Sequence, residues 1–131
     1  MYNNPFKDVE TGWYYDEVLW AYENGIVTGT SATTFAPNGD VTREQMTTFL
    51  YRFAKYMGYD TTSKADFSTF PDINKVGSWA KDALAWANAN GLITGSKGTD
   101  GIVRLDPQGQ ATREQVATIL MRFCNTFGVN E

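Results

Sequence analysis

Apolar residues recur at helical spacing in four stretches of the chain. Met46, Phe49, Leu50, Phe53 and Met57 form one unbroken stripe, and Val116, Ile119, Leu120, Phe123 and Phe127 repeat its spacing. Shorter stripes run through Tyr15, Val18, Leu19 and Tyr22, and through Ala83, Leu84 and Ala87 with Trp86 beside them. The pattern predicts two short helices near 13–24 and 79–90 and two long ones over 42–57 and 112–127. Thr42 with Gln45, and Thr112 with Gln115, have the spacing of a capping box, so each Thr is read as an N-cap. Gly12 and Ser78 are the expected N-caps of the short helices. Gly25 and Gly91 are expected to end those helices in the left-handed conformation, with Ile26 and Leu92 making the hydrophobic contact of a Schellman motif. Thr28-Gly29 and Thr94-Gly95 open loops, and Pro37-Asn38-Gly39 and Pro107-Gln108-Gly109 read as turns with Pro at the second position.

These elements form one unit used twice. The offset is 64 residues at the opening phenylalanines (Phe6, Phe70), 66 at the tryptophans (Trp13, Trp79) and 70 at the Thr-Arg-Glu-Gln tetrads (Thr42, Thr112). The second copy thus gains residues only in loops. The expected organisation is a first repeat over 1–58, a polar connection over 59–69 and a second repeat over 70–131, together one compact unit. The fold class is all-α: tandem helix-loop-helix repeats packed through their long second helices. A unit of this size is marginal by itself, so the copies should support one another.

Composition narrows the chemistry. Apolar residues make up 42% and charged residues 20% of 131, an ordinary globular balance. The net charge of -4 gives no support to nucleic-acid binding. No histidine is present, which removes the commonest general base and metal ligand. Neither a nucleophile elbow nor a phosphate-cradling loop occurs, so no catalytic residue, metal or cofactor is expected. Asp100 and Asp106 lie in "GTDGIVRLD", which lacks the alternating ligands of a calcium loop and reads as a Thr-Asp-Gly turn. The single cysteine, Cys124, falls in an apolar helical stretch and reads as a small buried thiol. No apolar run is long enough to span a membrane, and the start "MYNNPFKDV" has no signal-peptide pattern. Aromatics reach 15%, through a ring-rich core, exposed ring platforms, or both.

The tetrads place Arg43 and Arg113 first in their helices, where a cation opposes the helix dipole by about 0.3–1 kcal/mol. Glu44 and Glu114, second, suit it. Compensation for the arginines comes either from a carboxylate of the same chain, with Asp8 and Asp72 the candidates, or from an external anion held by guanidinium and helix N–H groups.

The order Phe-x-Asp-[Val/Ile], Trp, Gly-[Ile/Leu]-[Val/Ile]-Thr-Gly, [Phe/Leu]-x-Pro-x-Gly-x-[Val/Ala]-Thr-Arg-Glu-Gln resembles the S-layer homology (SLH) domain over nearly the whole chain. That family's Thr-Arg-Ala-Glu segment is here Thr-Arg-Glu-Gln, with the arginine kept. The resemblance implies a pseudo-threefold arrangement of three repeats with grooves between them, of which two are in this sequence. A third would come from further chain or from another chain. It also implies an extracellular module at the bacterial cell wall that binds a secondary cell-wall polysaccharide, often pyruvylated and so carboxylate-bearing. The corresponding site residues are Arg43 and Arg113 for the carboxylate, Trp13 and Trp79 for a sugar face, Asp8 and Asp72 to orient the arginines or accept hydroxyls, Gly29 and Gly95 for close backbone approach, and Glu44 and Glu114 beside the arginines. Each Trp might equally plug the core, and each Asp might hold its own loop. A structural protein-interaction or oligomerisation module is the alternative function.

Overall fold

The computed structural model describes residues 3–66 and 70–128. The described chain is helical: α1 (Tyr15–Glu23), α2 (Arg43–Tyr56), α3 (Lys81–Ala89) and α4 (Arg113–Phe127), with one two-stranded hairpin of β1 (Ser96–Lys97) and β2 (Val103–Arg104). The fold class is all-α. The chain divides into two compact units, Met1–Asp40 and Val41–Glu131. The division falls ahead of α2, so the second helix of the first sequence copy belongs to the same unit as the whole second copy.

Both long helices begin as their capping boxes require. The Thr42 hydroxyl accepts the Gln45 N–H at 3.2 Å while Gln45 Oε1 accepts the Thr42 N–H at 2.9 Å. Thr112 and Gln115 do the same at 3.2 and 3.1 Å. The short helices end as expected: Gly25 and Gly91 have φ of 74° and 71°. Ile26 N–H reaches Ala21 O and Leu92 N–H reaches Ala87 O, the long bond of the Schellman motif. Gly12 and Ser78, however, do not cap. The N-cap residues of α1 and α3 are Tyr14 and Ala80, without side-chain bonds. Helix entry is satisfied instead by backbone turns, Tyr15 N–H to Gly12 O and Ala80 N–H to Gly77 O, and Ser78–Ala80 forms a 3₁₀ turn ahead of α3. The hairpin was not legible as strands. It closes through the expected turn, with Gly101 N–H bonded to Gly98 O, and Arg104 pairs with Asp100 at 2.8 Å.

In the first unit Phe6, Val9 and Leu19 form the core, with Phe35 and Tyr15 packed on it. Phe6 stands edge-on to Tyr22. In the second unit Trp86, fully buried, is the centre of an aromatic cluster: Tyr51 of α2 lies 5.4 Å from it and Phe127 of α4 stacks on it at 5.8 Å. The long helices share this core, Phe53 meeting Phe123, while the backbone of α2 runs closest to α3.

The buried face of α2 is not the stripe read from its large apolar residues. Thr47, Thr48, Tyr51 and Ala54 are buried, whereas Met57 is exposed. The two threonines fit because each hydroxyl donates to the carbonyl four residues back, Arg43 and Glu44, at 2.7 Å. On α4, Ile119 and Phe123 are buried but Leu120 is exposed, and Cys124 is only half-buried.

Candidate functional site

The paired aspartates hold loops. Asp8 Oδ1 and Oδ2 accept the N–H groups of Phe35 and Ala36, both at 2.8 Å. Asp72 does the same for Leu105 at 3.0 Å and Asp106 at 2.7 Å. In both cases the second residue has a positive φ, 58° at Ala36 and 51° at Asp106, and precedes the proline of a hydrogen-bonded turn. The carboxylate offsets the cost of that left-handed residue. The two backbone donors hold the Asp8 carboxyl below its ordinary pKa.

With its aspartate committed to the loop, Arg43 has no carboxylate at salt-bridge distance among the described residues. It is nonetheless buried. Its Nε donates to Leu105 O at 3.0 Å, the only side-chain hydrogen bond it makes among the described residues. Burial lowers the guanidinium pKa, while the charges of Asp106 and Asp72 pull it back up. An arginine stays charged even so. Its backbone is also tied down, since Arg43 N–H donates to Gly109 O and Glu44 N–H to Pro107 O, both at 2.9 Å. Glu44 is buried, and its Oε1 accepts the Gly77 N–H at 2.9 Å. The first tetrad thus grips the 105–109 turn and the entry to α3.

Arg43 lines a groove of about 200 Å³ whose other walls are Thr94 and Gly95, after α3, and Glu114, Thr118 and Arg122 of α4. Arg43, Gly95 and Glu114 of the sequence candidates are therefore brought together. Arg122 was missed. Its signal was its spacing, since Gln115, Thr118 and Arg122 follow one another at three and four residues along one face of α4. Arg122 Nη1 donates to Leu92 O at 3.2 Å.

The remaining candidates lie elsewhere. Arg113, the sequence equivalent of Arg43, is exposed. Trp13 is 89% exposed and Trp79 52%, so neither plugs the core. The Trp79 ring covers Gly77, where a Cβ would meet its Nε1. At both loop glycines the missing side chain faces the protein. A Cβ on Gly29 would strike Thr34 O and the Phe6 ring, and one on Gly95 would lie 2.6 Å from Val103 Cγ1. Their smallness serves the fold.

Among the described residues no group of three or more His, Cys, Asp or Glu is placed to hold a metal, and no helix is long and apolar enough to cross a membrane. Residues 5–47 and 69–117 match the family model of the S-layer homology domain. The chain is 39% identical over 118 residues to the surface-layer 125 kDa protein of Lysinibacillus sphaericus, covering 89% of this chain and 10% of that protein. It is 36% identical over 116 residues to an endoglucanase of Bacillus sp. (strain KSM-635), covering 88% and 12%. It is 32% identical over 120 residues to the exoglucanase XynX of Acetivibrio thermocellus, covering 91% and 11%. The chain thus spans about a tenth of the length of these relatives.

Proposed function

The chain belongs to the S-layer homology family, and we propose that it is a non-covalent cell-wall anchor whose 41–131 unit binds an acidic cell-wall polysaccharide in the Arg43 groove. The observation that carries this reading is Arg43 itself: a buried cation lining a groove, with no carboxylate partner among the described residues. Its desolvation is met in folding, before any ligand arrives. A carboxylate entering the groove then meets a fixed, water-poor charge rather than a hydrated, mobile one, which strengthens the bond. Arg122 provides a second cation on the opposite wall. Gly95 leaves its backbone open to sugar hydroxyls, and Glu114 accepts hydroxyls while discouraging more highly charged polyanions. A pyruvate-ketal sugar has the matching features, one carboxylate on a ring of hydroxyls. The aspartates act one step removed, by shaping the turns that position Arg43. In proteins like the relatives named above, the module would hold the rest of the chain at the cell surface.

The test is sedimentation with purified bacterial sacculi, before and after the wall polysaccharide is stripped, with a pyruvate-ketal hexosamine and its ketal-free parent as competitors. Binding should need the polysaccharide and be displaced by the ketal sugar alone. Arg122→Ala should weaken it about tenfold, the loss of one charge-assisted bond of about 1.5–3 kcal/mol. Equal binding to stripped sacculi, or equal competition by both sugars, refutes the reading.

A further inference from the structure

The two copies of the repeat are equal in sequence pattern but not in burial, and the inequality is systematic. Every α2 residue that grips the second copy has an α4 equivalent seventy positions on that grips nothing described. Arg43 and Glu44 are buried, whereas Arg113 and Glu114 are exposed. Thr47 is buried and Ala117 exposed. Tyr51 is 9% exposed where Met121 is 59%, and Ala54 is fully buried where Cys124 is half-buried. Ala117, Leu120, Met121 and Cys124 follow at spacings of three, one and three, one continuous apolar face of α4.

The structure also shows what covers such a face, because it shows what covers α2: the Leu105–Gly109 turn, whose carbonyls take the Arg43 and Glu44 N–H groups, and Trp86 of α3 against Tyr51. The first unit carries the same covering parts. Its Ala36–Gly39 turn is closed by the same bond, has the same left-handed residue ahead of proline and is held by the same aspartate grip. These parts are also less covered than their counterparts. Leu105 and Pro107 are buried, while Phe35 and Pro37 are half-buried. Trp86 is fully buried, while Trp20 is 37% exposed.

We propose that the α4 face is a docking surface for a second copy of this chain, entered by that copy's 35–39 turn and Trp20. Arg113 and Glu114 N–H groups would meet the Gly39 and Pro37 carbonyls as Arg43 and Glu44 meet Gly109 and Pro107, and Met121 would lie against Trp20 as Tyr51 lies against Trp86. The contact joins different faces of two copies, so it is heterologous and closes into a dimer or grows into a longer array according to its rotation. It also gives the second arginine a place. Arg113 would sit at the new junction as Arg43 sits at the existing one, so association would build a second groove.

The test is sedimentation velocity of the whole chain from about 1 μM to about 1 mM. The expected result is concentration-dependent association that Met121→Glu and Ala117→Glu each weaken at least tenfold. Both positions are exposed, so circular dichroism should show both variants folded. Trp20→Glu removes the other half of the contact. Mixing it with Met121→Glu should restore one intact junction and hence a dimer, whereas each alone stays monomeric. A chain monomeric across the whole range, association untouched by either α4 variant, or folded single variants that do not complement would overturn the proposal. None of these readouts depends on a glycan, so the anchoring proposal stands or falls separately.

Discussion

Arg43 and Arg113 occupy the same place in the same tetrad, yet their replacement should have opposite effects. By local sequence alone both oppose the helix dipole, and both changes to Ala should be neutral or mildly stabilising, by about 0.3–1 kcal/mol. Tertiary structure separates them. Arg43→Ala removes the charge-assisted bond from Nε to Leu105 O, which contributes about 1.5–3 kcal/mol. It also removes a buried aliphatic stem from beside the groove. Subtracting the dipole relief leaves a net loss of about 1–2 kcal/mol. For a unit of this size that lowers the melting temperature by roughly 4–15 °C. Arg113 is exposed, and its replacement should leave the melting temperature unchanged or raise it slightly. The assay is thermal unfolding by circular dichroism on both single variants, at a concentration where the wild-type chain is monomeric. Sacculus sedimentation on the same samples adds the functional half, with Arg43→Ala losing about tenfold or more in affinity and monomeric Arg113→Ala losing none. Equal melting temperatures for the two variants would refute the asymmetry and with it the role given to the buried guanidinium.

Glu44→Ala should cost about 1–3 kcal/mol in denaturant unfolding, because it strands the Gly77 N–H, while Glu114→Ala changes little; equal losses would contradict the grip described for the first tetrad. Gly95→Ala should destabilise by about 1–3 kcal/mol, since φ is 94° and the new Cβ would meet Val103 and Phe70; a variant as stable as wild type would show that this loop yields easily. Asp8 has a lowered folded pKa, so its stabilisation is fully present above the ordinary carboxylate value of about 3.9 and is lost as pH falls through the folded value. Acid titration of stability should therefore be flat from neutral pH down to about 5 and fall below about 4, and Asp8→Asn should flatten part of that fall.

Sequence alone determined whatever depends on contacts close along the chain. Capping boxes, the glycine helix ends at Gly25 and Gly91, and the proline turns were legible because each is made by residues within six positions of one another. Helix boundaries were less so at α1 and α3, where backbone turns replaced the expected Gly12 and Ser78 caps. Tertiary structure decided what depends on which face is covered. Thr47 and Thr48 read as polar and surface-facing, but they are buried because their hydroxyls bond back to the helix and α3 lies against them. Leu120 and Met121 read as core, but nothing described covers that side of α4. The same rule separated the candidate site. Arg43, Gly95 and Glu114 are far apart in sequence and share one groove, joined by Arg122, whereas Arg113 is identical in local context to Arg43 and stands outside it. A tetrad specifies how a helix begins. Whether its arginine is buried depends on the turn that packs across it, and that turn lies more than sixty residues away.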